Sequence, residues 1–201
     1  MKKIHVILSA VVASVVLLGS VAGVAWAMYV GHSDSGLIRS ISKVVPIPAA
    51  RVGSRTITYQ DYLDSRDTIK IFLASDAAAE QGIQIPFDTE LEKNILEKLV
   101  NEQALYDVSE GRGIEVSDAE LMDFFTEVTN AASTTAPNVG EYIFKTYGWD
   151  EATFRDKILR PALFEQKLTA SLTEEGQVDG SLAFRLQERM DRDDVKRYMR
   201  F

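Results

Sequence analysis

The chain has no cysteine and only two histidines, His5 and His32. Without cysteine it forms no disulfide, offers no thiolate nucleophile and builds none of the Cys-based zinc sites. Two histidines nearly exclude His-dependent triads and His-rich metal clusters. Lysine and arginine number 22 against 30 aspartates and glutamates, a net charge of −8. That balance argues against nucleic acid as a partner, because phosphate binding needs a cationic face. No G-x-G-x-x-G or Walker sequence is present, so the chain carries no glycine loop that would cradle a phosphate. Ser33, Ser35, Ser133, Thr134 and Thr135 have neither a base-like partner nor nucleophile-elbow spacing. The expectation is a protein with no equipped catalytic site, no cofactor and no metal.

Charge is also missing locally. Residues 4–30 contain no Asp, Glu, Lys or Arg, and Lys2 and Lys3 stand just before them. As a helix this run is about 40 Å long, against about 30 Å of hydrocarbon in a bilayer. It reads as a single-pass anchor with the lysines in the cytoplasm and the rest of the chain outside the cell membrane. Trp26 and Tyr29 then fall at the outer interface. The alternative is a signal peptide cleaved after Ala27, since Ala25-Trp26-Ala27 has small-x-small spacing. The product would be secreted or periplasmic. No cysteine follows the run, so a lipoprotein anchor is excluded. Gly19, Gly23 and Ala27 follow small-xxx-small spacing, which lets two helix backbones approach and suggests a possible homodimer.

Residues 31–50 hold four serines and two prolines and read as a flexible linker, with a root-mean-square span of about 25 Å. Residues 51–57 suggest two short strands around Gly53-Ser54. Thr58, with Asp61 three residues on, has the form of a capping box opening a helix over residues 59–79. A second helix is expected from Asp88 or Thr89 to Glu110, on a stripe of Leu91, Ile95, Leu96, Leu99, Ala104, Leu105 and Val108. Ser117 and Glu120 form another capping box, for a helix carrying Leu121, Phe124, Phe125 and Val128. A short helix over residues 139–146 and a long one over residues 151–172 follow. The long one starts at Asp150, and Pro161 inside it predicts a kink. Residues 176–201 form a charged helix or tail that either docks or floats. The fold class is mainly α: a transmembrane helix, a linker, then over residues 51–175 a bundle of about five helices with a β-hairpin at its start.

The order of these pieces carries a resemblance. Val52-Gly53 with Ile57-Thr58 precedes a helix. Leu96-Glu97-Lys98-Leu99-Val100-Asn101-Glu102-Gln103-Ala104-Leu105 lies in the next. Gly113-Ile114-Glu115-Val116-Ser117-Asp118-Ala119-Glu120-Leu121 opens the third. Trp149-Asp150-Glu151-Ala152-Thr153-Phe154 leads into Arg160-Pro161-Ala162-Leu163-Phe164-Glu165-Gln166-Lys167-Leu168. Over residues 52–172 this resembles the N-terminal chaperone domain of SurA-like and PrsA-like exported foldases. One departure is Gly53-Ser54 where the family usually has Asn-Gly. In those families the domain is joined to a parvulin-type peptidyl-prolyl isomerase domain, and residues 173–201 are too few and lack the glycine-rich strands of one. The resemblance therefore implies a chaperone module that holds unfolded exported polypeptides. The alternatives are an isomerase-family member with residual or no activity, and a structural adaptor for one membrane partner.

Two acidic groupings invite a metal reading: Asp191, Asp193 and Asp194, and the three-residue repeat Asp61, Asp64, Asp67. No glycine lies between Ser181 and Phe201 to make the turn of a calcium loop, and both groupings read better as solvated helix faces. Tyr142, Phe144, Tyr147, Trp149 and Phe154 crowd one stretch. Those not consumed by the core would form an aromatic surface for clients.

Overall fold

The computed structural model describes residues 23–132, 138–174 and 181–201. Helical residues 23–29 lead into α1 (Gly36–Val44), the strands β1 (Pro48–Val52) and β2 (Arg55–Thr58), then α2 (Tyr59–Leu73), α3 (Asp76–Glu80) and α4 (Thr89–Glu110). There follow α5 (Asp118–Ala132), α6 (Val139–Tyr147) and α7 (Glu151–Phe154), which passes through a π-helical turn at Arg155–Leu159 into α8 (Arg160–Glu174). The chain closes with α9 (Ser181–Met190) and β3 (Val195–Arg197). The described part is mainly helical, with one small sheet.

Local chemistry sets most boundaries. The Thr58 hydroxyl accepts from Asp61 N at 3.1 Å while the Asp61 carboxylate accepts from Thr58 N at 2.9 Å. Asp88 Oδ1 accepts from Leu91 N at 2.9 Å and starts α4. Ser117 and Glu120 exchange the same reciprocal pair, at 3.2 and 2.9 Å. Each such cap is worth about 1 kcal/mol. The helix expected over residues 59–79 instead breaks after Leu73. Ser75 Oγ donates to Phe72 O at 2.7 Å and accepts from Ala78 N at 3.3 Å, ending one helix and starting the short α3. At Pro161 the expected kink is met by the π turn just before it. Arg160 N bonds Arg155 O, and the widened turn absorbs the ring and the missing donor.

The linker expectation is overturned: residues 31–50 are folded. Ser35 caps α1 through Ile38 N. Ser42 is buried and donates to Gln60 Oε1 at 3.1 Å, while Arg39 forks onto Asp67 at 2.6 and 2.9 Å. The serines that look like flexible filler are a cap and a buried donor. The boundary at residue 30 falls inside the folded unit for the same reason. Met28 is buried, Val24, Ala27 and Tyr29 pack against the main core, and Arg200 N donates to Tyr29 O at 2.9 Å. Tyr29 is thus held by protein rather than placed at a bilayer interface. Among the described residues no helix is long and apolar enough to cross a membrane. Residues 4–22 of the uncharged run lie outside the described residues.

The tail docks. β3 pairs antiparallel with β1, Val52 opposite Val195 and Ala50 opposite Arg197, giving the order β2-β1-β3. The hairpin turn at Gly53 has φ 57, and a Cβ there would lie 2.7 Å from Arg189 Nη2. The positive φ calls for glycine, and the Arg189 guanidinium of α9 lies close over it.

Three apolar clusters result. The main one joins the sheet, α2 and α4 through Val52, Ile57, Tyr59, Tyr62, Leu96 and Val100. A second holds Leu121, Phe125, Ile143 and Leu159; a third holds Leu105, Leu168 and Leu172. Helix α4 contributes to the first and third and is the axis of the fold. Leu99, 7% exposed, lies midway along it. Leu99→Ala is expected to cost about 2–5 kcal/mol in urea unfolding. A change below about 0.5 kcal/mol would mean that the residue fills no packed space.

Candidate functional site

Helix α6 is short, and its caps decide which aromatics it shows. Asn138 opens it: Oδ1 accepts from Glu141 N and Nδ2 donates to Glu141 Oε2, both at 3.2 Å. Ile143 and Thr146 are buried on its inner side. Tyr142 and Phe144 flank Ile143 and so point outward, 45% and 65% exposed. Gly148 stops the helix in the left-handed region, φ 72, and its N–H donates to Phe144 O at 2.8 Å. Asp150 starts α7 two residues later, accepting from Thr153 N at 2.8 Å.

This tight stop and restart draws three rings together. Tyr147 stacks on Trp149 at 5.4 Å and meets Phe154 at 5.8 Å. On its other side it stacks on Phe72 of α2, 6.0 Å away and nearly parallel. Burial raises the pKa of the Tyr147 phenol, and the nearby Tyr142 adds to it. The half-exposed Ile71 covers Gly148, where a Cβ would lie 2.8 Å from Ile71 Cδ1. Lys145 and Glu141 pair at 2.7 Å on the same helix. That bond holds the lysine pKa up and the glutamate pKa down.

The five aromatics singled out by the sequence therefore divide. Tyr147, Trp149 and Phe154 form a packed cluster that ties α6 to α2, while Tyr142 and Phe144 remain outside it. Phe72 and Ile71 were missed. Their signal, two adjacent apolar residues at the end of an amphipathic helix, is shared by many core positions. Of the small-residue stripe, Gly19 lies outside the described residues. A Cβ on Gly23 would meet nothing within 4 Å, and Ala27 packs against the main core. Ala27 is thus spent within this chain rather than left open to a second helix.

Five of the six aspartates in the acidic groupings have structural partners. Asp61 is a cap, Asp64 accepts from Gln60 Nε2 at 2.7 Å, and Asp67 binds Arg39. Asp194 accepts from the buried Arg189 at 2.9 Å, and Asp191 accepts from Gln187 Nε2 at 2.8 Å. Ser133, Thr134 and Thr135 lie outside the described residues. A cleft of about 650 Å³ opens between the end of α4 and α9. Its walls carry the pairs Arg189–Asp107 and Arg185–Glu188. Paired charges of both signs do not suit an apolar ligand.

A model of the SurA-like N-terminal domain family matches residues 2–154 of the chain. No curated protein and no solved structure matches it.

Proposed function

The chain belongs to the SurA-like N-terminal domain family, a family of chaperone type, and from that premise we propose that it is a membrane-anchored extracytoplasmic holdase for unfolded exported polypeptides. The observation that carries the reading is the exposure of Ile71 on α2 and of Tyr142 and Phe144 on α6, the two helices joined by the half-buried stack of Phe72, Tyr147 and Trp149. Aromatic rings lose little rotamer freedom on contact and accept many apolar partners. Lys145 and Glu141 of α6 are paired with each other, and the reading assigns this surface contact rather than chemistry. Extended clients that must be ordered on binding give affinities of about micromolar strength.

Residues 4–22 supply the anchor and Lys2 and Lys3 the cytoplasmic end. Packing of Val24 and Ala27 into the main core favours retention of the run, because cleavage after Ala27 would strip both from the fold.

The test uses the full chain in nanodiscs. It should suppress aggregation of two unrelated unfolded proteins, without accelerating prolyl isomerisation in a standard peptide. Tyr142→Ser with Phe144→Ser should lose most of the suppression at unchanged thermal stability, since neither side chain is buried. No suppression by the wild type would remove the holdase and leave the adaptor reading. Undiminished suppression in the double variant would move the client surface elsewhere.

A further inference from the structure

The folded unit begins inside the uncharged run, whose last residues pack into the main core. Residues 4–22 number 19, and as a helix they would span about 28 Å, close to the thickness of a bilayer's hydrocarbon. Met28, already buried in the main core, comes six residues later, about 9 Å of helix. With residues 31–50 folded, no stand-off remains between anchor and domain. A face of the domain must then meet the membrane surface.

The sequence and the exposed side chains indicate which face. Between residues 23 and 60 the only carboxylate is Asp34, against Arg39, Lys43, Arg51 and Arg55, in a chain of net charge −8; Arg39 pairs with Asp67 and Arg55 with Glu110. Asp34 is occupied by Arg39, Arg66 and Lys70. Helix α1 buries Ile38 and Ser42 and turns Leu37, 66% exposed, and Val44, 82% exposed, to the outside. Positions seven apart fall on one side of a helix. Val45 is exposed just beyond, and Lys43 lies beside Val44. Trp26, in the helix of residues 23–29, and Val30, just after it, are exposed. Apolar residues beside lysine, with tryptophan near by, suit the boundary between headgroups and acyl chains.

We infer that α1, through Leu37, Val44 and Val45 with Lys43, docks the domain flat on an anionic bilayer surface, with Trp26 and Val30 at the same level. The inference rests on the anchor reading above. The occupant is lipid rather than a second copy because the anchor ends six residues before the buried Met28 and so holds this domain against the bilayer, where the exposed Lys43 attracts phosphate headgroups.

The absence of native cysteine permits single-site labelling. The full chain, carrying Val44→Cys or Asp123→Cys with an environment-sensitive fluorophore, is reconstituted into vesicles of phosphatidylethanolamine and phosphatidylglycerol. Quenching by a nitroxide-bearing lipid should be several-fold stronger at 44 than at 123, and quenching by aqueous iodide should be weaker. Leu37→Asp with Val45→Asp should abolish the difference, and high salt should reduce it, while the chain still floats with vesicles. Equal, water-like quenching at both sites in floating vesicles would overturn the docking and spare the anchor. Protection from iodide without lipid quenching would also overturn it, in favour of a protein partner or second copy. Failure to float would overturn the anchor reading and the docking with it.

Discussion

Ending the chain after residue 180 is expected to abolish cooperative unfolding. The missing segment looks like a charged appendage, yet it closes the fold. Met199 is buried in the main core, and Leu186 packs against both that core and the third cluster. β3 covers the free edge of β1, and Tyr198 N donates to Ala49 O at 3.0 Å. Arg189, 4% exposed, fastens α9 to Asp107 of α4 and to Asp194. Each buried aliphatic side chain is worth about 1.5–3 kcal/mol, and several are lost together. The sum is comparable to the whole stability of a domain, about 5–15 kcal/mol. Circular dichroism during heating checks this: the truncated chain should melt without a sigmoidal transition. A cooperative melt within a few degrees of the full chain would mean that the tail merely rests on the bundle.

The tail also shows where the sequence stops being informative. Helix starts were legible at Thr58, Asp88, Ser117 and Asp150, because a cap and its partner lie three residues apart. The stripe on α4 was legible for the same reason. β3 was not: it is Val195-Lys196-Arg197, three residues with two cations, and only its pairing with β1 about 145 positions away makes it a strand. α1 was hidden because serine favours caps and coils alike. At the candidate surface the density of aromatics was visible. Which rings point inward was not, since that depends on α2 delivering Phe72 to Tyr147. The division into Tyr142 and Phe144 outside and Tyr147, Trp149 and Phe154 inside is a tertiary fact.

The second large effect is expected at Glu92, where the two ends of the chain meet. Glu92 lies on the first turn of α4 but is buried. Its Oε1 accepts from Arg66 Nη2 at 2.8 Å, and its Oε2 lies 3.2 Å from His32 Nδ1. Side-chain exposure is only 11%, 12% and 10% for Glu92, Arg66 and His32. His32 holds an unusual backbone, φ 44, and its Nε2 lies 2.8 Å from Arg200 O while its ring packs on Phe201 at 4.3 Å. Arg66 Nη1 donates to His32 O at 3.1 Å, and its Nε is buried with no partner among the described residues. The carboxylate thus balances a guanidinium that water cannot reach well. Glu92→Ala should cost about 3 kcal/mol, because it removes the close partner of a buried guanidinium and leaves it only Asp34 at 3.5 Å. Replacing both ends, Glu92→Leu with Arg66→Met, should cost clearly less than the two single changes together, since no charge is then stranded. Urea unfolding of the four proteins gives the coupling. A loss below about 1 kcal/mol for Glu92→Ala would place the pair among exposed ion pairs, and a strictly additive double variant would show that Arg66 and Glu92 do not sense each other. The expected coupling would instead make the joining of residues 32–34, α2, α4 and the C-terminus a single electrostatic event, which is why none of these segments announces it alone.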